Sequence, residues 1–186
     1  MVVFQALMVL GAVGICVGVF AIFKALSDNN EELRASNDWK KQLTTINMIK
    51  EWNDHARSHI KFLREKYSDL SDFDWKASEE LLAKSLFTSE EAKALFEGKS
   101  EEQGELRDRL FSLFNYFEYV ATAYEKEVID KQAVEVSFKG TILNTYTYFN
   151  PFVQIMRKER KYEPWLPLAL LVSKWMTNEQ QSGTIQ

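Results

Sequence analysis

Cysteine, histidine, proline and glycine are all scarce in this chain. The single cysteine, Cys16, excludes an internal disulfide, and neither a zinc nor a redox role is suggested. Three prolines and seven glycines among 186 residues leave few helix breakers, so the composition favours helix nearly throughout. The phosphate-cradling pattern G-x-x-x-x-G-K-[ST], the dinucleotide pattern G-x-G-x-x-G and the nucleophile elbow G-x-S-x-G are missing. No catalytic template therefore names a reaction, and no cofactor is expected. Cationic excess is lacking too: the net charge is -4, which gives no basic field for nucleic acid.

Charge is absent altogether from one stretch. Met1 to Phe23 contains no Asp, Glu, Lys or Arg. As a helix it would reach roughly 33 Å, enough to cross a hydrocarbon core of about 30 Å. It lacks the basic leader and small-residue cleavage site of a signal peptide. The expectation is a retained transmembrane helix at 1–24, then a juxtamembrane segment at 25–37, a helical bundle domain at 38–176 and a polar tail at 177–186. Lys24, Arg34, Lys40 and Lys41 follow the apolar run and none precedes it, which puts the helical domain in the cytoplasm and the N-terminus outside. Gly11, Gly14 and Gly18 would share one face of that helix and let another membrane helix, or a second copy, pack closely. The lipid bilayer and a membrane protein are thus the expected partners.

What is present downstream is apolar and aromatic residues at helical spacing. Ile46, Ile49, Asn53, Ala56, Ile60, Leu63 and Tyr67 form one seam, and Met48, Trp52, His55, His59 and Phe62 form a second beside it. Two adjacent seams predict a helix from about Ser36 to Tyr67 that packs against two neighbours. Tyr67 to Trp75 reads as a loop, and Ser78 opens a short helix carrying Leu81, Leu82 and Leu86. Thr88-Ser89-Glu90-Glu91 has the capping-box form for a helix ending at Gly98, and Ser100 to Gln103 repeats that signal. The helix so opened runs to about Val128, with Leu106, Leu110, Leu113, Phe117, Val120 and Tyr124 inward. Asp130 caps the next, in which Gly140 leaves room for a neighbour. Asn150-Pro151 breaks and restarts the helix, and Pro164 begins a final apolar one.

The run Leu113-Phe114-Asn115-Tyr116-Phe117-Glu118-Tyr119-Val120-Ala121, followed by Ile129-Asp130, Phe138-Lys139-Gly140, Phe152-Val153 and Arg157, resembles a bacterial family of membrane-anchored all-helical proteins, domain of unknown function 4760. The resemblance implies a helical fold and membrane attachment without an activity, and some relatives accompany phage-exclusion or abortive-infection proteins. Its Asn and Glu fall on Asn115 and Glu118. Glu127 stands where the family pattern leads one to expect glycine.

Few residues invite chemistry. His55 and His59 stand four apart with Glu51 one turn earlier, a spacing that could hold a metal; two histidines in a packing seam is the plainer reading. Asn115 and Glu118 are candidate buried polar groups, and Glu118 could pair with His55 or His59 between the two long helices. Arg157, Lys158, Arg160 and Lys161 could touch anionic headgroups. The fold class expected is all-α, one transmembrane helix followed by an irregular bundle. The function expected is a non-catalytic membrane-anchored accessory subunit that binds another membrane protein. A phage-defence component is the alternative, and an undefined enzyme a third.

Overall fold

The computed structural model describes the backbone of residues 2–74, 76, 87–160 and 162–183, and the side chains of these apart from 2–23, 25, 71, 180, 182 and 183. The described chain is all helical. It divides into two units, Met1–Lys41 and Gln42–Gln186.

The first unit lies within helix α1 (Val2–Glu51). Every described side chain from Lys24 to Lys40 is exposed, and this stretch carries Lys24, Asp28, Glu31, Glu32, Arg34, Asp38 and Lys40. Among the described residues no helix is long and apolar enough to cross a membrane. A span needs some 20 consecutive apolar residues, whereas the described face of α1 is charged every few positions. This finding corrects the expected transmembrane helix, and with it the single-pass topology, the cytoplasmic placement and the partnership with a bilayer or membrane protein. The roles built on an anchor, an accessory subunit and a defence component at the membrane, fall with it. The apolar run itself, with Gly11, Gly14, Cys16 and Gly18, lies outside the residues whose side chains are described.

The second unit is a helical bundle. The end of α1 passes through a π-helical turn, Trp52–Ala56, into α2 (Arg57–Lys66). In that turn the Arg57 N–H reaches the Trp52 carbonyl, five residues back. The turn inserts one residue into the helix and rotates everything after it. The inward face therefore changes seam: Thr45, Met48 and the half-buried Trp52 face the core before the turn, and Ala56, Ile60 and Leu63 after it. Ile46 and Asn53, counted in the first seam, are exposed, as is His55 of the second. Two seams thus mark one buried face displaced at the π turn, and that face meets both Tyr116 and Phe117 on one side and Phe138 on the other.

The segment after Tyr67 contains a one-turn helix, α3 (Asp69–Asp72), where a plain loop was expected. The expected helix with Leu81, Leu82 and Leu86 lies outside the described residues, as does Trp75. The next elements follow their capping signals. Helix α4 (Ser89–Glu97) opens with a reciprocal Thr88–Glu91 capping box and closes on Gly98, whose φ of 58° is left-handed. Helix α5 (Glu101–Glu125) opens with the same device at Ser100 and Gln103. Helix α6 (Lys131–Tyr148) is capped by Asp130, whose carboxylate accepts the Ala133 N–H at 3.0 Å. Pro151 sits in the first turn of α7 (Asn150–Glu159), and α8 (Leu166–Gly183) follows a tight turn at Pro164–Trp165.

Helix α5 stops three residues earlier than its apolar pattern suggests, and the hydrogen bonds show why. Glu127 N–H donates to Tyr124 O at 3.3 Å and Val128 N–H to Ala123 O at 3.2 Å, the paired bonds of a Schellman motif. Its left-handed position is Glu127, at φ 57°.

Helix α5 is the axis of the bundle. Leu110, Leu113, Phe114, Phe117 and Val120 have no exposed surface. Trp52 lies 5.8 Å from Tyr116, 5.9 Å from Phe117 and 5.6 Å from Phe138, which joins the π turn to α5 and α6. Tyr116 Oη donates to Met48 O at 2.6 Å, and Thr45 Oγ1 accepts the Asp130 N–H at 2.8 Å. Trp165 stands 5.0 Å from Phe114, and Trp175 stands 5.5 Å from Tyr124. Equal steps along both helices mean that α5 and α8 run in the same direction. Among the described residues nothing lies within 4 Å of where a Cβ on Gly140 would be, so none of them is the close neighbour expected there.

Candidate functional site

The polar residues of the family-like motif converge on one tryptophan. Trp165 has φ 57°, a left-handed conformation that side-chain-bearing residues rarely adopt, and is 1% exposed. Bulky residues hold such a backbone only where their surroundings impose it. Here three side chains do so. Asn115 Oδ1 accepts the indole Nε1–H at 2.9 Å. Arg157 donates through Nε to Pro164 O at 3.2 Å and through Nη2 to Trp165 O at 3.1 Å. The Glu118 carboxyl lies beside the Trp165 N–H, which favours its charged form. Asn115 and Glu118 stand three apart on α5 and so share a face, while Arg157 comes from the last turn of α7.

Electrostatics follow from this packing. Burial raises the Glu118 carboxyl above the usual carboxylate range, and the Trp165 N–H and the Arg157 charge pull it partly back. Burial also raises the Tyr146 phenol, against the opposing charge and hydrogen bond of Arg157. Arg157 is therefore the hub: it faces a carboxylate, a phenol and two carbonyls. Its expected role at lipid headgroups does not match this placement, since its guanidinium points into the protein. Arg160 donates to Tyr162 Oη at 2.9 Å and lies 5.5 Å from the Phe111 ring; Lys158 is exposed; Lys161 lies outside the described residues.

Beside Trp165 a cleft of about 570 Å³ opens between α5 and the turn that joins α7 to α8. Arg107, Phe111, Asn115 and Glu118 line one wall; Arg160, Tyr162, Glu163, Pro164 and Trp165 line the other, with Asp108 at the edge.

The histidines lie elsewhere. His55 is exposed within the π turn, and His59 is half-buried beside Arg109 with its Nδ1 unpartnered. Burial, then the Arg109 charge, then His55 push the His59 imidazole below its ordinary value. Glu51 is exposed. Among the described residues no group of three or more His, Cys, Asp and Glu side chains is placed to hold a metal. The expected pairing of Glu118 with His55 or His59 is corrected: Glu118 lies beside Trp165 and Arg157, His59 lies beside Arg109, and His55 is exposed. The sequence signalled Asn115, Glu118 and Arg157 but not the residue they hold. The left-handed Trp165 carries no local mark beyond the proline before it, and the cleft arises only when α8 returns to α5.

No curated protein and no solved structure matches the chain. A family model does, over residues 8–175. The polar constellation around Trp165 falls wholly inside that span, and the chain belongs to the family described as Domain of unknown function (DUF4760).

Proposed function

We propose that the chain is a non-catalytic helical binding domain that works through the cleft beside Trp165. The observation that carries this reading is the strained, fully buried Trp165, whose backbone carbonyl and indole nitrogen are both held by side chains. Backbone strain that several polar groups sustain is a mark of pre-organised sites, and this one forms a wall of the cleft. Nucleophilic catalysis would need a nucleophile and an adjacent base. Among the described residues the lining offers no Ser, Thr, Cys, Lys or His, and the Glu118 carboxyl lies against the Trp165 N–H and the Arg157 charge.

The test is an ¹⁵N–¹H spectrum of the full chain titrated with small acidic, basic and neutral aromatic compounds. Binding is expected to move the amide signals of Phe111, Asn115, Glu118 and Tyr162 together. Conversion of any compound to product, abolished by Glu118→Gln, overturns the non-catalytic reading.

A further inference from the structure

Within that binding reading, on which this inference rests, the cleft has a chemical preference. Several of its polar atoms are already satisfied. The Asn115 carbonyl oxygen holds the Trp165 indole, which leaves the Asn115 amide NH₂ as the part directed outward. Glu118 lies beside the Trp165 N–H and the Arg157 charge, both of which favour its charged form. Arg107 meets Asp108 only at 3.7 Å, beyond hydrogen-bond distance, and its side chain is 35% exposed against 76% for Asp108. Arg160 donates to a neutral phenol and lies over Phe111. The donors that line the cleft are thus two guanidiniums and an amide, with Arg107 the half-buried one, and the exposed Asp108 and Glu163 carboxylates stand beside them. Guanidiniums present fork-shaped donor pairs that fit a carboxylate and stack on flat rings.

We propose that the Arg107–Arg160 end of the cleft binds a small carboxylate that bears a flat apolar group, the anion between the two guanidiniums and the ring against Phe111. Arg107 and Phe111 are four apart on α5, so one face of that helix supplies both the charge and the apolar contact.

The experiment is a titration of the full chain with benzoate, benzyl alcohol, benzylammonium and inorganic phosphate, followed by the Phe111 ring and Arg Nε–H signals. Benzoate is expected to bind most tightly, and Arg160→Gln, a change at an exposed position, to weaken it at least about tenfold, as the loss of a charge-assisted hydrogen bond implies. Arg107→Gln should do the same with the melting temperature unchanged. Stronger binding of benzylammonium in the cleft overturns the anion preference and leaves the binding reading standing. Phosphate equal to benzoate removes the flat group from the proposal. Absence of all four probes from the cleft refutes the binding reading itself.

Discussion

Replacing Glu127 by glycine and by alanine separates a backbone effect from a charge effect at a single position. Glu127 occupies the left-handed position of the Schellman motif that ends α5, at φ 57°. Its carboxylate also takes a hydrogen bond from Lys131 at 2.5 Å. Both replacements delete that ion pair equally, so their difference reports only the backbone. A residue with a Cβ pays roughly 1–2 kcal/mol to sit in this region. Glycine avoids that penalty but gives the unfolded chain more freedom, a loss of about 0.4–1 kcal/mol. Glu127→Gly should therefore be more stable than Glu127→Ala by roughly 0.5–1 kcal/mol. For a bundle of this size the gap is about 2–3 °C in melting temperature. Urea unfolding read by far-ultraviolet circular dichroism gives the difference directly. Equal midpoints for the two variants would refute the argument, because the motif would then carry no strain at Glu127.

Other consequences are as specific. Arg157→Met leaves the Pro164 and Trp165 carbonyls without their charged donor and should destabilise the chain by roughly 2–3 kcal/mol in urea; a loss under about 0.5 kcal/mol, the range of ordinary surface changes, would show that Trp165 keeps its conformation unaided. The depressed His59 pKa means that the unfolded chain takes a proton near pH 6.5 while the folded chain resists it. Stability from this group is thus full above pH 6.5 and declines as the pH falls below it. His59→Gln should flatten the curve between pH 7.5 and 5, and an unchanged slope would count against the burial of His59. Deleting Asp54, exposed within the π turn, closes the inward positions into an unbroken alternation of three and four, so it should cost no more than about 1 kcal/mol. A collapse of the melting transition would mean that the extra residue is needed for packing.

The local signals in the sequence carried a good deal of the fold. Thr88, Ser100, Asp130 and Gly98 all cap helices where their residue types suggest, because a cap is settled within one turn of chain. Pro151 marks a helix start for the same reason. The seam at Ile46 to Tyr67 failed because a π turn has no composition of its own; it shows only as a change of phase. Length and apolarity of the first 23 residues pointed to a membrane span, and the described structure contains no such helix. The site was half legible. Asn115 and Glu118 stand out on α5, but their shared partner lies 50 residues away in the chain for Asn115 and is reached only through tertiary packing. Glu127 stands where the family pattern has glycine, and the structure puts it in the left-handed region that glycine favours.

Because α5 and α8 run the same way, the chain must travel back along the whole bundle through α6 before Trp165 can meet Phe114. Neighbouring antiparallel helices close small loops early, and contacts across long loops come late. Refolding should therefore assemble α5 with α6 first and add the tryptophan turn afterwards. Trp165→Phe is expected to hasten unfolding in stopped-flow experiments and leave the refolding rate nearly untouched. A slowed refolding limb would place that turn in the nucleus. On this order of events the cleft is the last part of the molecule to exist and the first to be lost.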